Sequence, residues 1–224
     1  MKKTISCVLF DLDGTLIDTA PDLVACLNKT LIEYDFPPVS FDFVKPNVSF
    51  GAVAMIDASI DKNVDEATRE RMLDAMLTLY ENNIATHSDF FDGMREVLAF
   101  IESHPIPWGI VTNKRTRFTV PLIHAFDLSS RAACVISGDS TPTPKPHPAP
   151  LFAACEQAGV IASECVYIGD AAHDIVAGNA ANMRTLAAVY GYLQPNDQPE
   201  NWGAEALIHS PAQLLTWLKN VLWF

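Results

Sequence analysis

The chain has 224 residues, of which 49% are hydrophobic and 19% charged, with a formal net charge of −12. That balance describes a globular chain, either one large domain or a core domain with an insertion, and excludes disorder. The acidic surplus argues against nucleic acid and anionic membranes as partners, and no apolar run is long enough to span a bilayer.

Met1–Lys2–Lys3 leads directly into an apolar strand from Thr4 to Phe10, not into a cleavable signal peptide. Cys7, Cys26, Cys134, Cys155 and Cys165 are scattered, odd in number and mostly in apolar segments. That usage is expected of reduced cysteines in a cytoplasmic protein. The six histidines show no metal-binding spacing.

The first strand reads as buried on both faces, as in a parallel sheet, and ends in Asp11–Leu12–Asp13–Gly14–Thr15. Strand alternation points Asp11 and Asp13 the same way, and ligand sites of open parallel sheets lie beyond the carboxyl ends of the strands. Asp18 or Thr19 is placed to cap a helix that carries Pro21 in its first turn and buries Leu23, Leu27 and Leu31. Pro37–Pro38 stops it. A weak helical segment follows at Phe41–Pro46, then Ser49–Phe50–Gly51–Ala52 and an apolar run to Ile60. Met72, Leu73, Met76, Leu77, Tyr80 and Ile84 keep helical spacing between Asp65 and Ala85. Residues 20–86 are therefore expected to be nearly all helix, an inserted lid without a strand.

Strand–helix alternation resumes after Phe91–Asp92–Gly93. Met94, Val97, Leu98 and Ile101 mark a helix that Pro105 ends, and Trp108–Val111 is a strand running into Thr112–Asn113–Lys114. The next helix reaches Phe126, with Pro121 expected to kink it or to delay its start. Cys134–Ile136 is a short strand, and Lys145 lies among five prolines between 138 and 150. Leu151–Ala158 is a helix closed by Gly159, Cys165–Ile168 a buried strand followed by Gly169–Asp170, and Ile175–Ala181 a helix with Asn182 suited to a left-handed end. Thr185–Val189 and Ala206–Ile208 are the last strands. Ser210–Pro211 opens a final helix that buries Leu214, Leu215, Leu218 and Leu222. Trp217, Trp223 and Phe224 belong to the core or to a dimer contact. Alternation of this kind implies a doubly wound α/β core.

Asp11 and Asp13, Thr112 and Asn113, Lys145, and Asp170 with Asp174 all end or follow strands, so a parallel sheet can gather them at one edge. Carboxylates with a hydroxyl and an amide form a hard, oxygen-rich site suited to Mg²⁺ and a phosphate oxygen. Asp174, one turn beyond Asp170, is placed to join or orient the metal's shell or to orient Lys145, whose charge suits a phosphoryl group.

Asp11–Leu12–Asp13–Gly14–Thr15–Leu16, Thr112–Asn113–Lys114, Lys145–Pro146–His147–Pro148 and Gly169–Asp170–Ala171–Ala172–His173–Asp174 resemble the four ordered motifs of the haloacid dehalogenase superfamily. The resemblance runs the full length and is nearest to the phosphoglycolate phosphatase branch. It implies a Rossmann-like α/β core at 1–17 and 88–224 and a helical cap at 18–87. It also implies a Mg²⁺-dependent phosphatase working on a small-molecule phosphate ester, as a monomer or homodimer. Asp11 is then the nucleophile, Asp13 the acid and base, and Lys145 the stabilising cation, with Thr112 and Asn113 on the phosphate. Asp11, the Asp13 carbonyl and Asp170 hold the metal with Asp174 beside them, and Ser49, Phe50 and Gly51 meet the leaving group. Three features depart from the branch: Ala171 replaces a usual Ser or Thr, Asp92–Gly93 replaces Pro-Gly, and Ser49–Phe50–Gly51 replaces a glycine-rich loop. His87–Met94 and the tail from Tyr190 through Ala204 look more like N-acetylmuramic acid 6-phosphate phosphatases. A phosphomutase shares every motif and is told apart by a bisphosphate activator.

Overall fold

The structure is a computed structural model that describes residues 5–222. Trp223, Phe224 and the first residue of the expected opening strand, Thr4, lie outside the described residues. Six strands form one parallel sheet: β1 (Cys7–Phe10), β4 (Trp108–Val111), β5 (Cys134–Ile136), β6 (Cys165–Gly169), β7 (Arg184–Ala188) and β8 (Ala206–Ile208). They lie in the order β5-β4-β1-β6-β7-β8. The chain therefore builds outward from β1 on one side and returns to build on the other. This reversal is the topological switch point where ligands bind in open α/β sheets.

Both faces of the sheet are covered, which is why its strands read as unbroken apolar runs. Val8 and Phe10 face a cluster with Trp108, Ile110, Val166 and Ile168, against α5 (Met94–Glu102), α6 (Thr116–Ala125) and α9 (Pro211–Leu222). Cys7 and Leu9 face the opposite cluster, with Tyr167 and residues of α7 (Ala149–Ala158) and α8 (Ala172–Ala180). The five cysteines are free and buried. In α9, Leu214, Leu218 and Leu222 are buried while Leu215 is only partly so, and Trp217 packs against the same cluster.

Between β1 and α5 the chain makes a helical block of α1 (Ala20–Glu33), α2 (Phe41–Val44), a 3₁₀ segment (Lys45–Phe50), α3 (Gly51–Ser59) and α4 (Glu66–Asn82). Its own apolar cluster holds Leu27 and Leu31 of α1, Met55 and Ile56 of α3, and Met72, Met76 and Tyr80 of α4. The block joins the sheet through an antiparallel ribbon of β2 (Ile17–Asp18) and β3 (Asp89–Phe90), paired Ile17 to Phe90 and Asp18 to Asp89. Strands of two residues carry no readable periodicity, so sequence patterning passed over the ribbon.

Two local expectations change. Neither Asp18 nor Thr19 caps α1 in the usual way: the Thr19 hydroxyl is drawn off to Asp13, and the Ala20 amide is met by Asp18 Oδ1 (3.3 Å) and the Tyr192 hydroxyl (3.0 Å). Pro121 does not delay α6, which runs from Thr116 through it. Asn182 has the left-handed backbone expected of it, with φ +60°.

Candidate active site

Asp11 follows β1, Thr112 follows β4 and Asp170 follows β6, so three adjacent strands deliver polar side chains to one edge. Gly14 turns the chain away at φ +81°, and a Cβ there would stand 2.2 Å from Asp170 Oδ2. Only glycine supplies both that conformation and that clearance. Asp13 accepts from Lys114 Nζ at 2.8 Å and from the Thr19 hydroxyl, which fixes its carboxylate at the rim of the site.

Lys145 is the centre of the buried network, at 3% exposure. Four oxygens surround its Nζ and share its three protons: Asp11 Oδ1 (2.9 Å), Asp174 Oδ1 (2.7 Å), the Val111 carbonyl (3.0 Å) and the Tyr167 hydroxyl (2.8 Å). Burial pulls the ammonium pKa down, but Asp11 and Asp174 outweigh it and hold the pKa above the usual lysine value. The lysine loop is itself tied down by Asn113, whose amide donates to the Lys145 carbonyl and accepts from the Lys145 N–H, both at 3.0 Å. The motif places Asn113 on the phosphate, but this pair of hydrogen bonds engages both ends of its side chain. The Thr112 hydroxyl accepts from the Lys114 amide at 3.1 Å.

Single oxygens of Asp11, Asp170 and Asp174 lie within 4.8 Å of one another, all three residues buried. Burial raises the Asp11 carboxyl to about 7, with Lys145 opposing and Asp174 and Asp13 adding to the rise. Burial, then Asp11 and Asp174, lift Asp170 well above the carboxylate range. Asp174 is also pushed up by burial, yet Lys145 and His173 overcome this and hold its carboxyl low. Its second oxygen accepts from the Ala171 amide at 3.1 Å. Asp174 is therefore already committed to Lys145, while Asp11 and Asp170 remain short of positive charge. Such an all-oxygen donor set fits a hard divalent cation, which would relieve their repulsion. The Asp13 side chain stands outside this cluster.

The helical block closes over this edge. Ser49 Oγ donates to Asp170 Oδ2 at 2.9 Å, and the same oxygen accepts from the Tyr192 amide at 2.9 Å. Phe50 stands edge-on to His173, with ring centroids 6.5 Å apart. Between block and sheet lies a cavity of about 670 Å³ that Asp11, Asp13, Thr112, Asn113, Ser49, Phe50 and Gly51 all line. Lys145, Asp170 and Asp174 sit behind its floor.

Sequence reading missed four participants. Tyr167 is a lone hydroxyl in an apolar strand, a signal that was available. Tyr192 shows itself only through its contacts with Asp170 and Asp18. Lys114 was recognised within a motif but not as the partner of Asp13. Asp22, 1% exposed in α1, accepts from the amides of His87 (2.8 Å) and Ser88 (2.9 Å), from the Ser88 hydroxyl (2.6 Å), and pairs with His87 Nδ1 (2.9 Å).

Comparison with known proteins places the chain among relatives of shared family and fold. Residues 8–188 match the model of the family described as haloacid dehalogenase-like hydrolase. The chain is 37% identical over 221 residues to an N-acetylmuramic acid 6-phosphate phosphatase of Pseudomonas aeruginosa, covering 99% of this chain and 98% of that one. It is 40% identical over 207 residues to a phosphoglycolate phosphatase of Xanthomonas campestris pv. campestris, covering 92% and 93%. A crystal structure from Haemophilus somnus 129PT, titled a predicted phosphoglycolate phosphatase, superposes with TM-score 0.85 at 25% identity, over 95% of this chain and 97% of that one. A haloacid dehalogenase-like hydrolase of Streptococcus pneumoniae shares the fold at TM-score 0.82 and 18% identity, over 96% and 98%. With its motifs, sheet order and full-length relatives in agreement, the chain belongs to the haloacid dehalogenase-like hydrolase family.

Proposed function

We propose that this phosphatase hydrolyses a small phosphorylated metabolite of the phosphoglycolate type through an aspartyl-phosphate on Asp11. The observation that carries the reading is the buried Lys145 ammonium bridging Asp11 and Asp174 at 2.9 and 2.7 Å, beneath a cavity lined by Asp11, Asp13 and Thr112. Lys145 opposes the rise that burial imposes on Asp11 and fixes the direction of its carboxyl group, and an oriented carboxylate is what an in-line attack on phosphorus needs.

Asp11 attacks phosphorus as the ester oxygen departs, and Asp13 gives that oxygen its proton. Asp13 then takes a proton from water, the water attacks the aspartyl-phosphate, and inorganic phosphate leaves with Asp11 restored. Lys145 offsets charge at the nucleophile throughout. Thr112 and the Asn113 backbone face the phosphoryl oxygens, because the Asn113 side chain is held by the lysine loop. Asp11, Asp170 and the Asp13 carbonyl, with Asp174 behind them, are the residues to hold Mg²⁺. When bound, that ion supplies charge neutralisation at the phosphoryl group. Residues 18–87 act as the cap over the substrate, with 1–17 and 88–224 as the core. The placement is cytoplasmic, in keeping with free, buried cysteines and with no helix among the described residues long and apolar enough to cross a membrane.

A second reading has an observation of its own. A cavity of about 670 Å³ is larger than a two-carbon acid requires, which favours an amino sugar such as N-acetylmuramic acid 6-phosphate. The test is phosphate release with Mg²⁺ from this ester and from 2-phosphoglycolate, with Asp11→Asn as control. Turnover of at least one ester, lost in Asp11→Asn, is the expected result. Near-normal turnover by that variant would falsify the covalent route.

A further inference from the structure

In a chain of net charge −12, the positive side chains at the cavity are conspicuous. Lys114, Arg115 and Arg117 line it together with Asp74. Lys114 is already paired with Asp13 at 2.8 Å. The two arginines are not. Of the seven arginines, Arg69, Arg95, Arg131 and Arg184 form ion pairs and Arg71 bonds the Thr68 hydroxyl. Among the described residues, Arg115 and Arg117 have neither an ion pair nor a side-chain hydrogen bond, and both are exposed at this wall.

The wall beside them is ordered. The Arg117 guanidinium stacks 4.4 Å from the Phe118 ring, and Phe118 packs on Tyr80 with centroids 5.5 Å apart. Stacking presents the planar edge of the guanidinium while the flat face is held. Tyr80 also lines the cavity and is 1% exposed, with Lys114 Nζ 4.7 Å from its ring centroid. Two unpaired guanidinium groups on the wall of a cavity that also holds Asp11 and Thr112 give a second anionic group, beyond the phosphate, a place to bind.

We propose that Arg115 and Arg117 form a carboxylate subsite of this cavity, so that the substrate class is a phosphate monoester bearing a carboxylate away from the phosphoryl group. The inference rests on the phosphatase reading above and deepens it. Phosphoglycolate and N-acetylmuramic acid 6-phosphate differ in size and skeleton, yet each carries such a carboxylate. Asp11, Asp13 and Asp74 also line the cavity and Asp139 lies near Arg115, but Asp11 is paired with Lys145, Asp13 with Lys114, and Asp139 accepts from Thr116.

The test uses pairs of esters that differ at the carboxylate. N-acetylmuramic acid 6-phosphate is compared with N-acetylglucosamine 6-phosphate, which lacks the lactyl acid, and 2-phosphoglycolate with its amide. Wild type is expected to prefer the acid of at least one pair by tenfold or more in kcat/KM. Arg117→Gln and the double variant with Arg115→Gln should shrink that ratio at least tenfold, mainly through KM, and melt like wild type because both side chains are exposed. Arg71→Gln serves as a control for net charge and should leave the ratio unchanged. Equal turnover of acid and neutral ester by wild type overturns the subsite and leaves the phosphatase reading standing. A preference that survives in the double variant, or one that Arg71→Gln reduces as much, overturns the assignment to these arginines. No phosphate release from any ester, including p-nitrophenyl phosphate, overturns both readings.

Discussion

Lys145 shows how a charge is kept in the interior. A buried ammonium is tolerable only with oxygen partners on all sides, and Asp11, Asp174, Tyr167 and the Val111 carbonyl supply them. Asp174 lies behind Asp11 and His173 and does not itself line the cavity, so toward the substrate it is a positioning residue. Asp174→Ala should cost about 3–5 kcal/mol, the usual penalty for breaking a buried pair, measured by urea unfolding. Asp174→Asn, which keeps the shape, should cost less. Both should lower kcat far more than they raise KM, because what is lost is the placement of Lys145 and Asp11. A variant with reduced stability and wild-type kcat would mean that Asp174 serves the fold alone.

At the scale of elements, the ribbon of β2 and β3 is where the chain leaves the sheet and returns to it. Asp22 ties the start of α1 to His87 and Ser88 just before β3, so both crossings are held at one carboxylate. Asp22→Ala is expected to destabilise the protein by about 2 kcal/mol, several hydrogen bonds to one charged group being exchanged for water. It should speed amide hydrogen exchange at His87 and Ser88 while leaving β1 and β6 protected. Uniformly faster exchange throughout the chain would mean that Asp22 supports the whole fold and not the crossing. The block these strands carry reaches the sheet's edge through Ser49 on Asp170, a contact made across 121 residues of sequence.

The whole molecule carries an excess of negative charge and concentrates three carboxylates at one point. Asp11, raised to about 7, favours its protonated form in the folded state more than in the unfolded chain. Its contribution to stability is therefore full below about 4 and lost as pH rises through 7. Asp174 runs the other way: its lowered carboxyl contributes above the ordinary carboxylate pKa and loses that contribution in stronger acid. In chelator, the melting temperature should thus rise as pH falls from 8 to about 5. Adding Mg²⁺ at pH 8 should recover the difference, since a cation bound only by the folded state stabilises it by about 2.7 kcal/mol at a hundred times its Kd. A melting temperature indifferent to Mg²⁺ at pH 8 would contradict a cation site at Asp11 and Asp170.

Much of this was legible in the amino-acid order. Apolar runs ending in Asp11, Thr112 and Asp170, with helices between, dictate a parallel sheet whose polar ends share one edge, because short connections and right-handed crossovers leave few alternatives. The helical insert followed from the absence of any strand pattern between residues 20 and 86. Hydrophobic periodicity reports which face of an element is buried, and it did so for α1, α4 and α9. It says nothing about which side chains meet across the chain. That is why the paired hydrogen bonds between Asn113 and Lys145, the pairing of Asp13 with Lys114, the Asp22 clamp and the two-residue ribbon came only from the folded structure. The sequence by itself determined the sheet, the insert and the type of chemistry, since these follow from local pattern and residue type. Tertiary structure alone decided which charges are neutralised within the protein and which, Arg115 and Arg117 among them, remain free for a ligand, because charge balance in a buried site is a property of distances between segments remote in sequence.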